Sequence, residues 1–120
     1  MKIEFSIPYP PSANRIWRQG QGRVHKSKEY QDWLALAAWE IRAQLGPKKV
    51  ITEPFKLTVR ANRPDRRKRD LDNLLKPILD LLGHYGLIEN DSLCHWIDAR
   101  WDGEGRTVKI VLGELNGEAQ

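Results

Sequence analysis

The sequence predicts a single α+β domain spanning 1–120, with helices packed on a mixed β-sheet in the order β-α-β-α-β-β. Three observations carry that expectation. Short stretches that alternate apolar and polar residues recur along the chain, as half-buried strands do. Two longer stretches space their apolar residues by three and four, as amphipathic helices do. With 40% hydrophobic and 30% charged residues over 120 positions, the composition suits one globular core and not a disordered chain.

Each element has its own signal. Ile3, Phe5 and Ile7 alternate with Lys2, Glu4 and Ser6, and Pro8-Tyr9-Pro10-Pro11 closes that strand. Residues 12–26 are polar and basic and read as a long loop. Ser27 is placed to cap a helix that runs to about Leu45. Its apolar stripe is Tyr30, Trp33, Leu34, Ala37, Ile41 and Leu45, with Trp39 off the stripe as a candidate second buried face, and Gly46-Pro47 stops it. Phe55, Leu57, Val59 and Ala61 mark a second strand, which Arg63-Pro64-Asp65 ends. A second helix covers roughly Leu71 to Leu82. Pro77 lacks an N–H for a bond four residues back, so the helix must start late, near Asp72, or bend. Gly83 and Gly86 end it, and 87–92 reads as a turn or short helical segment. Leu93 to Trp101 and Arg106 to Leu112 read as two strands joined as a hairpin by Asp102-Gly103-Glu104-Gly105. Trp96 and Trp101 have opposite parity on the first, so one should face the core and the other outward. Residues 116–120 are expected to fray.

Composition excludes several function classes. The longest apolar run, Trp33 to Trp39, is seven residues, and a membrane span needs about 20. The opening Met-Lys-Ile-Glu-Phe has no secretory core. The single cysteine, Cys94, permits no disulfide within the chain and no cysteine-rich zinc site. A cytoplasmic location is expected, with no membrane partner and no organic cofactor. A net charge of +4, a pI of about 9.4 and five tryptophans point towards nucleic acid.

The charge is unevenly placed. Arg15 to Lys28 holds five Lys/Arg and no acid, and Arg60 to Arg69 holds six against one acid, Asp65. Acids then concentrate from Asp70 to Glu104. A basic platform beside clustered carboxylates suits a metal-dependent enzyme acting on phosphates: the bases hold the polyanion and the acids hold the cation.

The segment Arg69 to Lys76 reads R-D-L-D-N-L-L-K. Asp70 and Asp72 face one way only if the pair precedes the helix proper. Hard divalent ions such as Mg²⁺ take oxygen ligands of this kind. Lys76 follows Asp72 by one helical turn and could neutralise the transition state or leaving group. Asp91 is the best candidate for a third carboxylate. The bland alternatives stand beside these: Asp70 or Asp91 as helix caps, Asp72 with Lys76 as a surface ion pair, and Asp80 as a solvated helix acid. The run Arg66-Arg67-Lys68-Arg69, with Asn73 beside it, is read as a phosphate cradle. Asn14, Arg15 and Arg18 in the long loop are read as further DNA contacts. Trp17 is read as packing on arginine stems, with stacking on an unpaired base as the alternative.

The segment Arg63 to Lys76 resembles the RusA family of Holliday junction resolvases. The opening Pro8 to Arg15 and the element Gly86-Leu87-Ile88-Glu89-Asn90-Asp91 share the resemblance, which covers nearly the whole chain. It implies a homodimeric, Mg²⁺-dependent endonuclease, with Mn²⁺ able to substitute, that makes paired symmetric nicks in four-way junction DNA. It implies that Asp70, Asp72 and Asp91 bind metal and that Lys76 assists catalysis. It also implies cutting beside cytosine-rich dinucleotides and a bacterial host, with phage or prophage carriage common. Two positions depart from the family pattern: Asn90 replaces the first of two acids, and Leu93 stands where glutamine is frequent. The alternatives are a non-catalytic nucleic-acid-binding protein on the same scaffold and a nuclease preferring flaps or forks.

Overall fold

The computed structural model describes residues 2–12, 17–20, 23–47 and 49–115, with 17–20 and 23–25 described through their backbone. Strand β1 (Lys2–Pro8) is followed by a small antiparallel hairpin, β2 (Trp17–Gly20) and β3 (Arg23–Lys26). Then come helix α1 (Lys28–Leu45), strand β4 (Phe55–Arg63), a 3₁₀ turn (Leu71–Leu74) and helix α2 (Leu75–Tyr85). A second 3₁₀ turn (Asp91–Leu93) leads into β5 (Cys94–Glu104) and β6 (Thr107–Glu114). The α+β order expected from the sequence therefore holds, with one hairpin added where the sequence suggested a loop. That hairpin forms its own two-stranded sheet, so it needed no apolar face to announce it.

The main sheet has the order β1-β6-β4-β5. β6 runs antiparallel to both β1 and β4, and β5 runs parallel to β4. The hairpin expected between β5 and β6 does not form, because β4 lies between them. The chain instead crosses over the end of β4. Asn62 secures the crossing: its Oδ1 accepts from the Gly103 N–H at 3.1 Å and its Nδ2 donates to Thr107 Oγ1 at 3.1 Å. Gly105 sits at φ 143° with its N–H on the Arg63 carbonyl, and a Cβ there would meet Asn62.

The core lies between one sheet face and the two helices. Phe55, Leu57, Val59 and Ala61 of β4 and Val108, Ile110 and Leu112 of β6 are buried against Tyr30, Leu34, Ala37 and Ile41 of α1 and Ile78, Leu81 and Leu82 of α2. Ser27 Oγ accepts from the Tyr30 N–H at 3.1 Å, which is the expected cap. Trp33 packs inside and donates from Nε1 to the Pro8 carbonyl. Trp39 forms no second buried face: it is 66% exposed.

The proline difficulty is resolved by a late start. The 3₁₀ turn takes Leu71–Leu74, so Pro77 falls in the first turn of α2, where N–H groups have no intrahelical partner. α2 runs through Gly83 to Tyr85, and Gly86 ends it at φ 86°. Ile88 then bridges Ile51, just ahead of β4. Because β4 and β5 are parallel, α2 is the crossover between them. Its start lies at the end of β4 and its finish lies at the start of β5.

Candidate active site

The three carboxylates singled out by the sequence are exposed, and none of them fills the bland role available to it. Asp70 occupies the cap position of the first 3₁₀ turn in extended backbone, yet its side chain makes no capping bond. At the second 3₁₀ turn the cap is Asn90, whose Oδ1 accepts from the Ser92 N–H at 2.8 Å, and not Asp91. Lys76 does not pair with Asp72. Its Nζ lies 3.4 Å from Asp80 Oδ1. Among the described residues, Asp70, Asp72 and Asp91 make no side-chain hydrogen bond or ion pair.

Asp80 is not a solvated acid. It is partly buried between the helices and accepts from the Tyr30 hydroxyl at 2.8 Å as well as facing Lys76. Burial and then the Asp80 carboxylate push the Tyr30 phenol well above its ordinary value. Tyr30, Asp80 and Lys76 thus form a chain from the core to the surface. Sequence reasoning missed it because Tyr30 and Asp80 are 50 residues apart.

The basic run is folded around its one acid. Asp65 accepts from the Arg67 backbone N–H at 3.0 Å and from Arg67 Nε at 3.2 Å. It also accepts from Arg69 Nε at 3.1 Å and Nη2 at 2.7 Å. The Arg69 guanidinium, and then the Arg67 amide and side chain, hold the Asp65 carboxyl far below the usual carboxylate range. Arg69 also lies over the Tyr9 ring, 5.5 Å from its centroid. Arg66 and Lys68 are exposed and make no ion pair among the described residues. Asp65 and Tyr9 are residues the sequence reading passed over. The signal for Asp65 was there, as the single acid in a basic stretch.

One cleft of about 310 Å³ brings the two chemistries together. Arg67, Lys68, Arg69, Asp70 and Asn73 line it, opposite Tyr9 and Ser12. Asp72 and Lys76 follow immediately but do not line it. Asp91 lies elsewhere: it follows the far end of α2, whose 11 residues span about 16 Å. Among the described residues no three His, Cys, Asp or Glu side chains gather closely enough to hold a metal ion. The fold therefore places the Asp70–Asp72 pair beside the basic cleft and Asp91 apart. Asn14 and Arg15 lie outside the described residues. Arg18 lies on β2, where only the backbone is described.

The donor set nevertheless fits a hard cation. All three groups are carboxylates with no side-chain partner among the described residues, and Asp70 lines the basic cleft. No helix among the described residues is long and apolar enough to cross a membrane.

Comparison with known proteins bears on this arrangement. The family model for endodeoxyribonuclease RusA matches residues 8–112. The chain is 34% identical over 111 residues to the crossover junction endodeoxyribonuclease RusA of Escherichia coli (strain K12), covering 90% of this chain and 82% of that protein. It has the same identity and coverage to the protein of that name from Enterobacteria phage 82. It is 37% identical over 83 residues to the one from Aquifex aeolicus, covering 69% of this chain and 65% of that protein.

Proposed function

The chain belongs to the RusA family of endodeoxyribonucleases, enzymes that hydrolyse phosphodiester bonds, and from that premise we propose that it resolves four-way DNA junctions by paired, symmetric, Mg²⁺-dependent nicks. The observation that carries this reading is the shared cleft, in which Asp70, with no side-chain partner among the described residues, adjoins Arg67, Lys68 and Arg69. A phosphate gripped by those bases stands next to a carboxylate able to hold a cation. Asp70, Asp72 and Asp91 are the ligands in this reading, and Mn²⁺ serves in place of Mg²⁺. The chemistry a bound divalent ion supplies here is activation of water and stabilisation of charge on the attacked phosphate.

The chain's own residues do the rest. Arg66 and Lys68 meet the backbone as mobile charges, whereas Arg67 and Arg69 are held in place by Asp65. Asn73 offers an amide within the same cleft, and Asn14, Arg15 and Arg18 extend the contact surface. Lys76 neutralises charge developing on the leaving oxygen. Asp80 is its positioning residue, fixed in turn by the Tyr30 hydroxyl. A four-way junction has approximate two-fold symmetry, so a homodimer presents two sites related by the same operator.

The test is a cleavage assay on a labelled synthetic junction, a matched linear duplex and a flap, each with Mg²⁺ and then with EDTA. Paired nicks confined to the junction and lost in EDTA are expected. Nicking centred on the flap would move the assignment to a nuclease of different preference. Junction binding without any nicking would leave a DNA-binding protein on this scaffold.

A further inference from the structure

Two tryptophans of β5 each carry a cation from β4 on the ring face, and the two pairs differ. Near the start of the strands Lys56 Nζ lies 3.9 Å from the centre of the Trp96 ring, and it also faces Asp98 at 4.0 Å. At the end of β4, Arg63 Cζ lies 4.5 Å from the centre of the Trp101 ring. Arg63 is exposed, and its guanidinium makes no hydrogen bond or ion pair among the described residues. Acids are close by in the chain and the sheet. Glu104 is its register partner across the β4–β5 seam, yet the two do not pair. Asp65 is two residues on, and it is taken by Arg67 and Arg69.

How a cation is held decides what it is free to do. Asp65 fixes Arg67 and Arg69 by occupying the Nε and Nη2 donors of each and opposing their charge. An aromatic face fixes the guanidinium plane and uses no donor in its plane. Arg63 therefore keeps all five N–H groups and its full charge for a ligand. What lies beneath it is rigid, because Trp101 packs on the core. Its backbone is fixed as well. The Arg63 carbonyl accepts from the Gly105 N–H at 3.0 Å, and Pro64 restricts the residue before it to extended geometry. Burial raises the Tyr9 phenol, and the Arg69 and Arg63 charges both oppose that rise, so both cations stand near the Tyr9 wall of the basic cleft. Arg69 lines the cleft and Arg63 does not.

We propose that Arg63, laid on the Trp101 ring, is a preformed site for a backbone phosphate of DNA, separate from the cleft that holds Asp70. It rests on the reading of this chain as an enzyme that grips and cuts DNA. The ligand that fits is a phosphodiester anion. Two N–H groups of the guanidinium fork meet two phosphate oxygens, while the ring behind keeps the plane from turning. Arg63 opens the basic loop and Asp70 follows its end. A strand with one phosphate in the cleft thus meets a second fixed contact, and two points set its direction across the loop where one point would let it swing. Trp101 is the positioning residue of this site and touches no DNA itself.

The salt dependence of binding tests it, read in EDTA by fluorescence anisotropy on a synthetic junction and a matched linear duplex. Arg63→Ala removes one phosphate contact, so the slope of log affinity against log salt should fall by about 0.9 on both DNAs. The advantage of wild type over this variant should accordingly shrink about 3.5-fold between about 50 and 200 mM salt. Trp101→Leu keeps the charge and frees the guanidinium. Affinity should fall about two- to five-fold with the slope retained, and Trp101→Phe should restore most of it. In an Arg63→Ala background Trp101→Leu should cost no further affinity. A clasp that only holds the sheet end would lower the urea midpoint of these variants and leave affinity and slope as in wild type, which would overturn the site. A loss confined to the junction would overturn the phosphate assignment, since both DNAs offer the same backbone. If Trp101→Leu does not fold, the exposed Arg63 decides alone. Arg63→Lys, a charge without a planar fork, should keep the slope and lose affinity, and wild-type behaviour of both Arg63 variants would overturn the site. A wild-type protein that binds neither DNA would overturn the DNA reading of the whole chain, and this site with it.

Discussion

Asp70 stands where a carboxylate ordinarily caps a helical turn, and it caps nothing. A group held in that position without a bond gives up stabilisation of about 1 kcal/mol that capping commonly supplies. Asp70→Asn should therefore leave stability within about 0.5 kcal/mol of wild type. It should remove Mg²⁺-dependent nicking while junction affinity, read by gel shift in EDTA, stays the same, and Asp72→Asn should behave alike. A parallel loss of binding would mean that the carboxylates support the DNA cradle and not the cation. Asp65 makes the opposite case, an acid that serves the bases. Asp65→Asn makes the protein more positive, yet it releases Arg67 and Arg69 from fixed positions. Junction affinity should fall about five-fold, the equivalent of roughly 1 kcal/mol. If affinity rises instead, net charge outweighs placement in this loop. The acids were legible in the sequence because their spacing and the adjoining basic run are local. The fate of their bland alternatives was not, since Asn90 and Asp80 took the cap and the ion pair through geometry that spacing does not fix.

The two helices illustrate what periodicity can and cannot carry. The stripe of α1, its Ser27 cap and its Gly46 stop are local features, and all are found as the sequence implied. Pro77 was equally informative, because its missing N–H requires a late start and the 3₁₀ turn supplies one. The tie between the helices was invisible. Tyr30 looked like one more stripe residue and Asp80 like a surface acid, and only tertiary packing brings the hydroxyl to the carboxylate. That tie has a pH signature. The Tyr30 phenol is raised above its ordinary value of 10.0 by burial and by Asp80. A group raised on folding contributes its full stability below the unfolded value and loses it as pH climbs beyond that value. The urea midpoint of the wild-type protein should therefore hold up to about pH 10 and fall above it. Tyr30→Phe should start lower, for want of the hydrogen bond, and lose less between pH 9 and pH 11. Equal alkaline losses in the two proteins would show that Tyr30 is not the group responsible. The variant also leaves Asp80 free to move, so nicking by Tyr30→Phe should slow if Asp80 positions Lys76.

At the scale of the molecule, the class of fold was readable and the sheet order was not. Strands adjacent in sequence usually pair, which favours a β5–β6 hairpin across two glycines. What defeats it is that β6 fills the place between β1 and β4, and those glycines serve instead to pass the chain over Asn62. The consequence for function is that β5 becomes an edge and β4 delivers the basic loop at the opposite end from Asp91. Charge placement then sets how DNA is held. Of the four bases in Arg66 to Arg69, two are engaged by Asp65 and two are not. Arg66 and Lys68 are thus the ones expected to release counterions one for one on binding phosphate. Substituting both by alanine should reduce the slope of log affinity against log salt by about two units, since each phosphate contact contributes about 0.9. The loss should be the same for a junction and for a linear duplex, because phosphate contacts position the backbone and do not read its shape. Measured in EDTA by fluorescence anisotropy between 50 and 200 mM salt, a slope change seen on the junction alone would instead make this pair part of how the branch point is recognised.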